Sequence, residues 1–386
     1  MGYYRRVGEV PRKRHIVHRG TDGGVLIEEL MGSDGFSAES ALLYHRRSPS
    51  ALVAIEAIDD APVSLTPNLP LSPWHLRTTA LADGTSDADI VRDRVTLLGN
   101  DAVHISVARG SQSSELYRNA ANDELVYVQE GNSVVESVFG ALAVSAGDYV
   151  VIPRGTTHRW VVGQTSVVAL VIESRGHVNS PKRYLSAHGQ FLEQAPYCER
   201  DLRAPDSPLI VDEERVGVLV RTSAGLTRHV HRNHPFDVVG WDGALYPYAL
   251  SIHDFEPIVG RVHQPPPVHQ TFEAPGFVVC SFVPRPYDFH PESVKVPYHH
   301  ANVDSDEVLF YSAGDFASRS GSGIGIGSIS LHPSGFVHGP QPGSRERVAD
   351  KDRTDELAVM VDTFQPLSLT DRARDIADLD YPRSWT

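Results

Sequence analysis

Gly147-Asp-Tyr-Val-Val-Ile-Pro153-Arg-Gly155-Thr-Thr-His158 and Gly327-Ser-Ile-Ser-Leu-His-Pro333-Ser-Gly335-Phe-Val-His338 share one grammar: a glycine, five residues, a proline, one residue, a glycine, two residues and a histidine. Each is preceded by a glutamate, six residues and a glycine, Glu124 to Gly131 in the first case and Glu307 to Gly314 in the second. The copies are offset by 183 residues at the glutamates and 180 at the histidines, so one unit of barrel size is used twice. A glutamate projecting inward from one strand, a glycine turn, and a later strand pair bent by Pro-x-Gly could return a histidine to the same barrel interior. That spacing builds a metal pocket.

Outward from these stretches the same pattern continues. Short β-branched or aromatic runs at 95–98, 103–107, 125–128, 148–152, 167–172, 277–282, 308–311 and 329–331 are separated by turn residues drawn from 31 glycines and 27 prolines. Helical periodicity is confined to stretches near 371–377 and 181–186. The expected class is mostly β, with one unit over 1–175 and a second over 176–386, joined by a connector near 175–215 and carrying a polar segment near 343–355. With 35 basic against 49 acidic residues, the net charge of −14 argues against nucleic acid as a partner. Hydrophobic residues at 41% permit a packed core. No run approaches the roughly 18 apolar residues of a membrane helix. Arg5, Arg6, Arg12, Lys13 and Arg14 are followed by no apolar segment, so a cytoplasmic address is expected. Cys198 and Cys280 lie in no CxxC pair and read as reduced thiols. Nineteen histidines point to imidazole chemistry.

The double pattern resembles the cupin signature, G-x5-H-x-H-x3 or 4-E-x6-G followed by G-x5-P-x-G-x2-H-x3-N, whose second part is matched through its histidine in both halves. In the later half, His300-Ala-Asn302-Val-Asp-Ser-Asp-Glu307 supplies the first part, with Asn302 in place of its second histidine. Histidine, then asparagine, then glutamate at this place resembles the homogentisate dioxygenase family. So do Pro235-Phe236-Asp-Val-Val-Gly-Trp241, Phe282-Val-Pro284-Arg285, Pro297-Tyr298-His-His300, the run from Leu331-His332 to His338-Gly339-Pro340, and the late Tyr381 and Trp385. The opening Gly2-Tyr-Tyr-Arg-Arg-Val-Gly-Glu-Val-Pro-Arg-Lys-Arg-His15 is similar to the short bacterial form of that family, and the resemblance is strongest after residue 230. It implies a bicupin, two double-stranded β-helix (jelly-roll) barrels in one chain. It also implies an Fe(II) cofactor and O2-dependent cleavage of the ring of homogentisate (2,5-dihydroxyphenylacetate) to maleylacetoacetate, a step of tyrosine and phenylalanine catabolism. By the same analogy the chain assembles as a homo-oligomer, a trimer or hexamer.

A non-haem Fe(II) oxygenase needs two imidazoles and one carboxylate on one face, with positions left open for substrate and O2. His300, Glu307 and His338 meet that need and fall at the family's ligand positions. Six residues separate His300 from Glu307, one more than in better-known members, and Asp306 would restore the shorter spacing. Glu307 is preferred because Glu307-x6-Gly314 repeats Glu124-x6-Gly131. His299 competes with His300, and a packing role is preferred for it. His263, in His263-Gln-Pro-Pro-Pro-Val-His269, falls where the family carries its active-site histidine. It is expected to accept or hydrogen-bond a phenolic proton, with a proline-turn cap as the alternative and His269 as the competitor. His332 matches a substrate-binding histidine of the family, a turn-stabilising role being the alternative. Phe316 occupies the substrate-binding position where the family usually has a tyrosine on the substrate carboxylate. Arg319, His332 or a backbone amide would have to replace that hydroxyl, which keeps gentisate and other hydroquinone carboxylates open as substrates.

Aligning Glu124 on Glu307 sets Tyr117 opposite His300 and Asn119 opposite Asn302. The first unit therefore lacks an imidazole, and its metal site reads as vestigial. A cupin isomerase or hydrolase using Zn or Mn, or a binding bicupin without catalysis, are the competing function classes. The glycine-rich 320–327 lacks the Lys-Ser/Thr ending of a phosphate loop, so no nucleotide is expected. The expected partners are a small aromatic substrate and O2, with no nucleic acid and no membrane.

Overall fold

The computed structural model describes residues 3–60, 62–82, 87–296 and 298–386; Gly2 and Pro297, quoted above, lie outside them. Every apolar run singled out in the sequence lies in a strand, and the only α-helices among the described residues are Ser344–Arg347 and Asp371–Asp375. The second of these starts where the Thr370 hydroxyl accepts the Ala373 N–H at 3.2 Å, and the other expected helical stretch is a single 3-10 turn, Lys182–Tyr184. None of these helices is long and apolar enough to cross a membrane. Cys198 and Cys280 are both free.

The period-2 alternation of side chains sets the layers. In Asp123–Glu130, Val126 and Val128 join the interior cluster of the first barrel, and Leu125 and Tyr127 join the core between the barrels. In Asp306–Ala313, Val308 and Phe310 enter that shared core, and Glu307, Leu309 and Tyr311 face a cavity in the second barrel. Leu357–Thr363 repeats the division: Val359 and Val361 go to the core, Ala358, Met360 and Asp362 to the cavity. The molecule is thus a mostly β bicupin whose barrels meet through a nine-stranded and a six-stranded sheet. Across that seam the Tyr127 and Tyr149 hydroxyls reach Ser312 and Ser281 at 2.8 Å each.

The division near residue 175 is crossed in both directions. Trp74–Arg77 pairs with Ser328–His332 and closes one edge of the six-stranded sheet. Tyr248–Ser251 pairs with Asp148–Ile152, and Glu214–Thr222 pairs in parallel with Leu116–Asn119. Such exchanges cover edges that would otherwise expose unpaired backbone groups.

The sequence repeat persists in strand register. Glu124 stands opposite Ile152 and Glu173, and Glu307 opposite His332 and Asp362. Tyr117 pairs with His158, as His300 pairs with His338. The outer wall is where the barrels differ. In the first, Leu116–Asn119, Asn132–Ser137, Gly140–Ser145 and Thr157–Val162 form a continuous sheet. In the second, the described residues offer only the His300–His338 bridge and the two-residue pairing of Arg285–Pro286 with Arg353–Thr354. That side is open, and it holds a cavity of about 280 Å³.

Candidate metal centre and substrate cavity

His300, Glu307 and His338 converge from a loop, a strand and a bend. The backbone bridge locks the two histidines together, with His300 N–H donating to the His338 carbonyl at 2.8 Å and His338 N–H donating back at 2.9 Å. Glu307 reaches them from Asp306–Ala313: its carboxylate is 3.2 Å from His338 Nε2 and 3.5 Å from His300 Nε2. The three donor atoms lie within 4.8 Å of one another. Donors sharing one small ion at about 2.1 Å, roughly at right angles, stand about 3 Å apart, so the spacing fits a common cation. The carbonyl of Phe336, 3.0 Å from His338 Nδ1, fixes that ring with Nε2 turned to the cluster. Burial pushes the Glu307 carboxyl up, but hydrogen bonds from His300, His332 and His338 outweigh it and hold the group well below the usual carboxylate range. The cluster therefore presents a carboxylate, as metal binding requires.

The two local ambiguities in the sequence have clear geometric outcomes. Asp306 points to the opposite face and accepts the backbone N–H groups of Ser334 and Leu367, each at 2.8 Å. His299 is exposed, its backbone lying against Gly339, where an added Cβ would come within 2.7 Å of the His299 Cα.

His263 lines the cavity. Its Nε2 is 3.1 Å from the Tyr298 hydroxyl and its Nδ1 3.4 Å from Asp288. The Tyr298 ring stands edge-on to both His263 and His300, so His263 is one aromatic ring away from the cluster. His269, its competitor, packs on Phe282 with a ring separation of 4.8 Å, and burial first, then Arg285, pushes its imidazole down to about 3.

Two expectations change in the structure. His332 has no nitrogen to give a substrate: Nδ1 is 2.9 Å from Glu307 and Nε2 2.8 Å from the Tyr381 hydroxyl, and its residue is fully buried. Burial pushes its imidazole down to about 3, so it is a neutral group that orients the carboxylate. Phe316 sits behind Tyr311, edge-on at 4.9 Å, and its neighbours Ala317 and Arg319 form the cavity wall instead.

Asp362 belongs to no motif of the sequence. It lies directly across from Glu307, accepts from Asn302 Nδ2 at 3.3 Å and lines the cavity. Burial, then the charge of Glu307, pushes its carboxyl up to about 8. The available signal was an acid at an inward position of an apolar strand in both halves, Glu173 and Asp362.

The first barrel supplies a cation of its own. Arg94 Nη1 is 2.8 Å from Glu124 and 3.5 Å from Glu173, and Asn119 Nδ2 bonds both carboxylates at 3.1 and 2.9 Å. His158 Nε2 stands 3.7 Å from Glu124. A guanidinium fills the space among the counterparts of the second barrel's acidic groups.

A family model described as Homogentisate 1,2-dioxygenase N-terminal matches residues 51–252. A Saccharolobus solfataricus protein named "Putative dioxygenase SSO1533" is 39% identical over 389 residues, covering 100% of this chain and 99% of that protein. A homogentisate 1,2-dioxygenase of Bradyrhizobium diazoefficiens is 24% identical over 300 residues, covering 74% of this chain and 65% of that enzyme. Among solved structures, a cupin 2 conserved barrel domain protein from Leptotrichia buccalis aligns with 79% of this chain and 100% of its own, at a TM-score of 0.37 and 10% identity. The family model spans more than half of the chain and the Saccharolobus relative all of it, and the chain accordingly belongs to the homogentisate 1,2-dioxygenase family, as a dioxygenase relative built on two cupin barrels.

Proposed function

We propose that this protein is an Fe(II)-dependent ring-cleaving dioxygenase that converts homogentisate and O2 to maleylacetoacetate, both oxygen atoms entering the product. The observation that carries the reading is the convergence of His300, Glu307 and His338 at the open side of the second barrel, beside a cavity large enough for one substituted ring. Two imidazoles and a carboxylate are the donor set that suits non-haem ferrous iron and leaves positions for other ligands. Bound there, iron would supply the Lewis-acid and one-electron chemistry that O2 requires to react with an organic substrate.

The protein's own residues supply the rest. His332, held by Tyr381, fixes one Glu307 oxygen, so the carboxylate cannot swing away from the two ligand histidines. His263, part-exposed at the cavity, would exchange the Tyr298 hydroxyl at Nε2 for the phenolic hydroxyl of the substrate and take its proton, with Asp288 at Nδ1 stabilising the resulting imidazolium. Phe282, Leu309 and Met360 offer apolar wall to the ring and limit the entry of water. The test is aerobic turnover by Fe(II)-reconstituted protein, followed together by O2 uptake and by absorbance of the ring-opened product. One O2 consumed per homogentisate is expected. Silence with homogentisate alongside turnover of gentisate reassigns the substrate, and no O2 uptake with either overturns the reaction class.

A further inference from the structure

We infer that Arg319 is the anion receptor of the cavity, the residue that binds the carboxylate of an aromatic acid and rejects the neutral hydroquinone of the same ring. The inference rests on the reading of this cavity as the substrate site. Arg319 closes the short turn Ala317–Arg319 and is 6% exposed, and its guanidinium contributes to the cavity wall. Nε donates to the Tyr311 hydroxyl at 3.1 Å and Nη1 to the Gly339 carbonyl at 2.6 Å. Both partners are neutral, and Arg319 forms no ion pair among the described residues.

Comparison with Arg94 gives this weight. Both arginines are buried in a barrel, but Arg94 is held between Glu124 and Glu173. A guanidinium removed from water without a paired counter-ion is costly, and an arriving carboxylate would offset that cost. Glu307 acts on Arg319 through space but forms no ion pair with it, its oxygens being engaged by three imidazoles. The other cations of the cavity wall lack that combination: Arg285 pairs with Glu356 at 3.0 Å, and Lys295, which donates to the Ala349 and Lys351 carbonyls, is only half-buried.

The Arg319 head is also held in place before any ligand arrives. The Tyr311 hydroxyl is fixed by Ser330 Oγ at 2.9 Å, and the Gly339 carbonyl takes a second hydrogen bond from Trp385 Nε1 at 3.0 Å. These contacts occupy Nε and Nη1 and leave Nη2 without a partner among the described residues. A pre-oriented guanidinium with unused donors is suited to a carboxylate. It also accounts for the tolerance of Phe316, since the charge is met from Arg319 rather than from a phenol at that position.

The test is anaerobic calorimetric titration of the metal-loaded protein with 2,5-dihydroxyphenylacetate and with its methyl ester. The wild type should bind the acid tenfold or more tighter, about what a charge-assisted hydrogen bond contributes. Arg319→Gln should weaken the acid by a similar factor and leave the ester within about twofold, while Arg319→Lys retains part of the preference. Acid preference that persists undiminished in Arg319→Gln places the carboxylate elsewhere and overturns the inference. Should that variant fail to fold, Arg319→Lys decides: an unchanged preference overturns the inference and a reduced one supports it. O2 uptake by the wild type separates this from the oxygenase reading. Arg319-dependent acid binding without O2 uptake keeps the receptor and ends that reading; O2 uptake with an Arg319-independent preference does the reverse.

Discussion

Asp306 and Glu307 are neighbours of nearly the same chemistry, and one step along a strand separates their roles. Each Asp306 oxygen accepts a backbone N–H, tying the bend at Ser334 and the segment at Leu367 to the strand. Glu307 faces the other way, toward three imidazoles. Glu307→Gln should therefore leave the protein folded with less than about a tenth of the wild-type metal after dialysis, because an amide neither carries the charge nor coordinates as well. Asp306→Asn should keep the metal and lose about 1 to 3 kcal/mol of stability, read from the denaturant midpoint, because an amide nitrogen opposes one of the two N–H groups. The pair of outcomes separates ligand from strut. A subtler effect is expected at Tyr381, which touches the centre only through His332. Tyr381→Phe frees His332 Nε2 and should lower metal affinity about 10- to 100-fold, the range found when groups orienting a ligand are removed, as measured by competition with a chelator.

At the scale of strands and sheets, the apolar runs and turn residues were enough to mark where strands lie, because alternation and glycine turns are local properties. The repeat was legible for the same reason: its glutamates and histidines keep their cross-strand partners in both halves. Asp362 was not legible as a cavity residue, since its role depends on standing across from Glu307 after folding over a separation of more than 50 residues. The roles of His332 and Phe316 likewise turn on Tyr381 and Tyr311, partners that spacing does not reveal. The four-stranded sheet is a further case of remote pairing, and it predicts a pH dependence. His45, on Ser40–His45, lies between Asp237 at 2.6 Å and Glu29 at 2.8 Å, tying its strand to the neighbouring strand and to a residue just before Val238–Gly243. Burial pushes its imidazole down, but the two carboxylates outweigh this and raise it from 6.5 to about 9. The folded state therefore holds this proton more tightly than the unfolded chain. The resulting stabilisation is fully present below pH 6.5 and is lost as pH rises through 9, and for a shift of this size it amounts to about 3 kcal/mol. Denaturation midpoints should fall over that window in the wild type, and His45→Gln should be less stable at pH 6 with a flatter profile.

At the scale of the molecule, two barrels with the same inward glutamate, asparagine and cross-strand acid meet one electrostatic problem in two ways. The second barrel gathers Glu307 and Asp362 beside an open cavity, where a divalent ion could balance them. The first barrel gathers Glu124 and Glu173 in a closed interior and balances them with Arg94, whose side chain is 6% exposed. Burial pushes the Glu124 carboxyl up, yet Arg94 and His158 outweigh it and keep the group below its ordinary value, so the interior holds a true ion pair. Closing the outer wall and internalising a cation thus go together: the sealed barrel carries a built-in guanidinium, and the other barrel stays open around its cavity. Arg94→Ala tests this directly. Without divalent ions the variant should be destabilised by about 3 to 5 kcal/mol, the usual consequence of leaving buried carboxylates without their partner. The vacated space would be lined by Glu124, Glu173 and His158, a two-carboxylate, one-imidazole set that suits Mn or Fe. Added divalent metal should then restore much of the thermal midpoint and raise the bound metal from one to two equivalents per chain, counted by elemental analysis after gel filtration. One equivalent in the variant, with no metal-dependent rise in its midpoint, would show that Arg94 fills space rather than substituting for an ion.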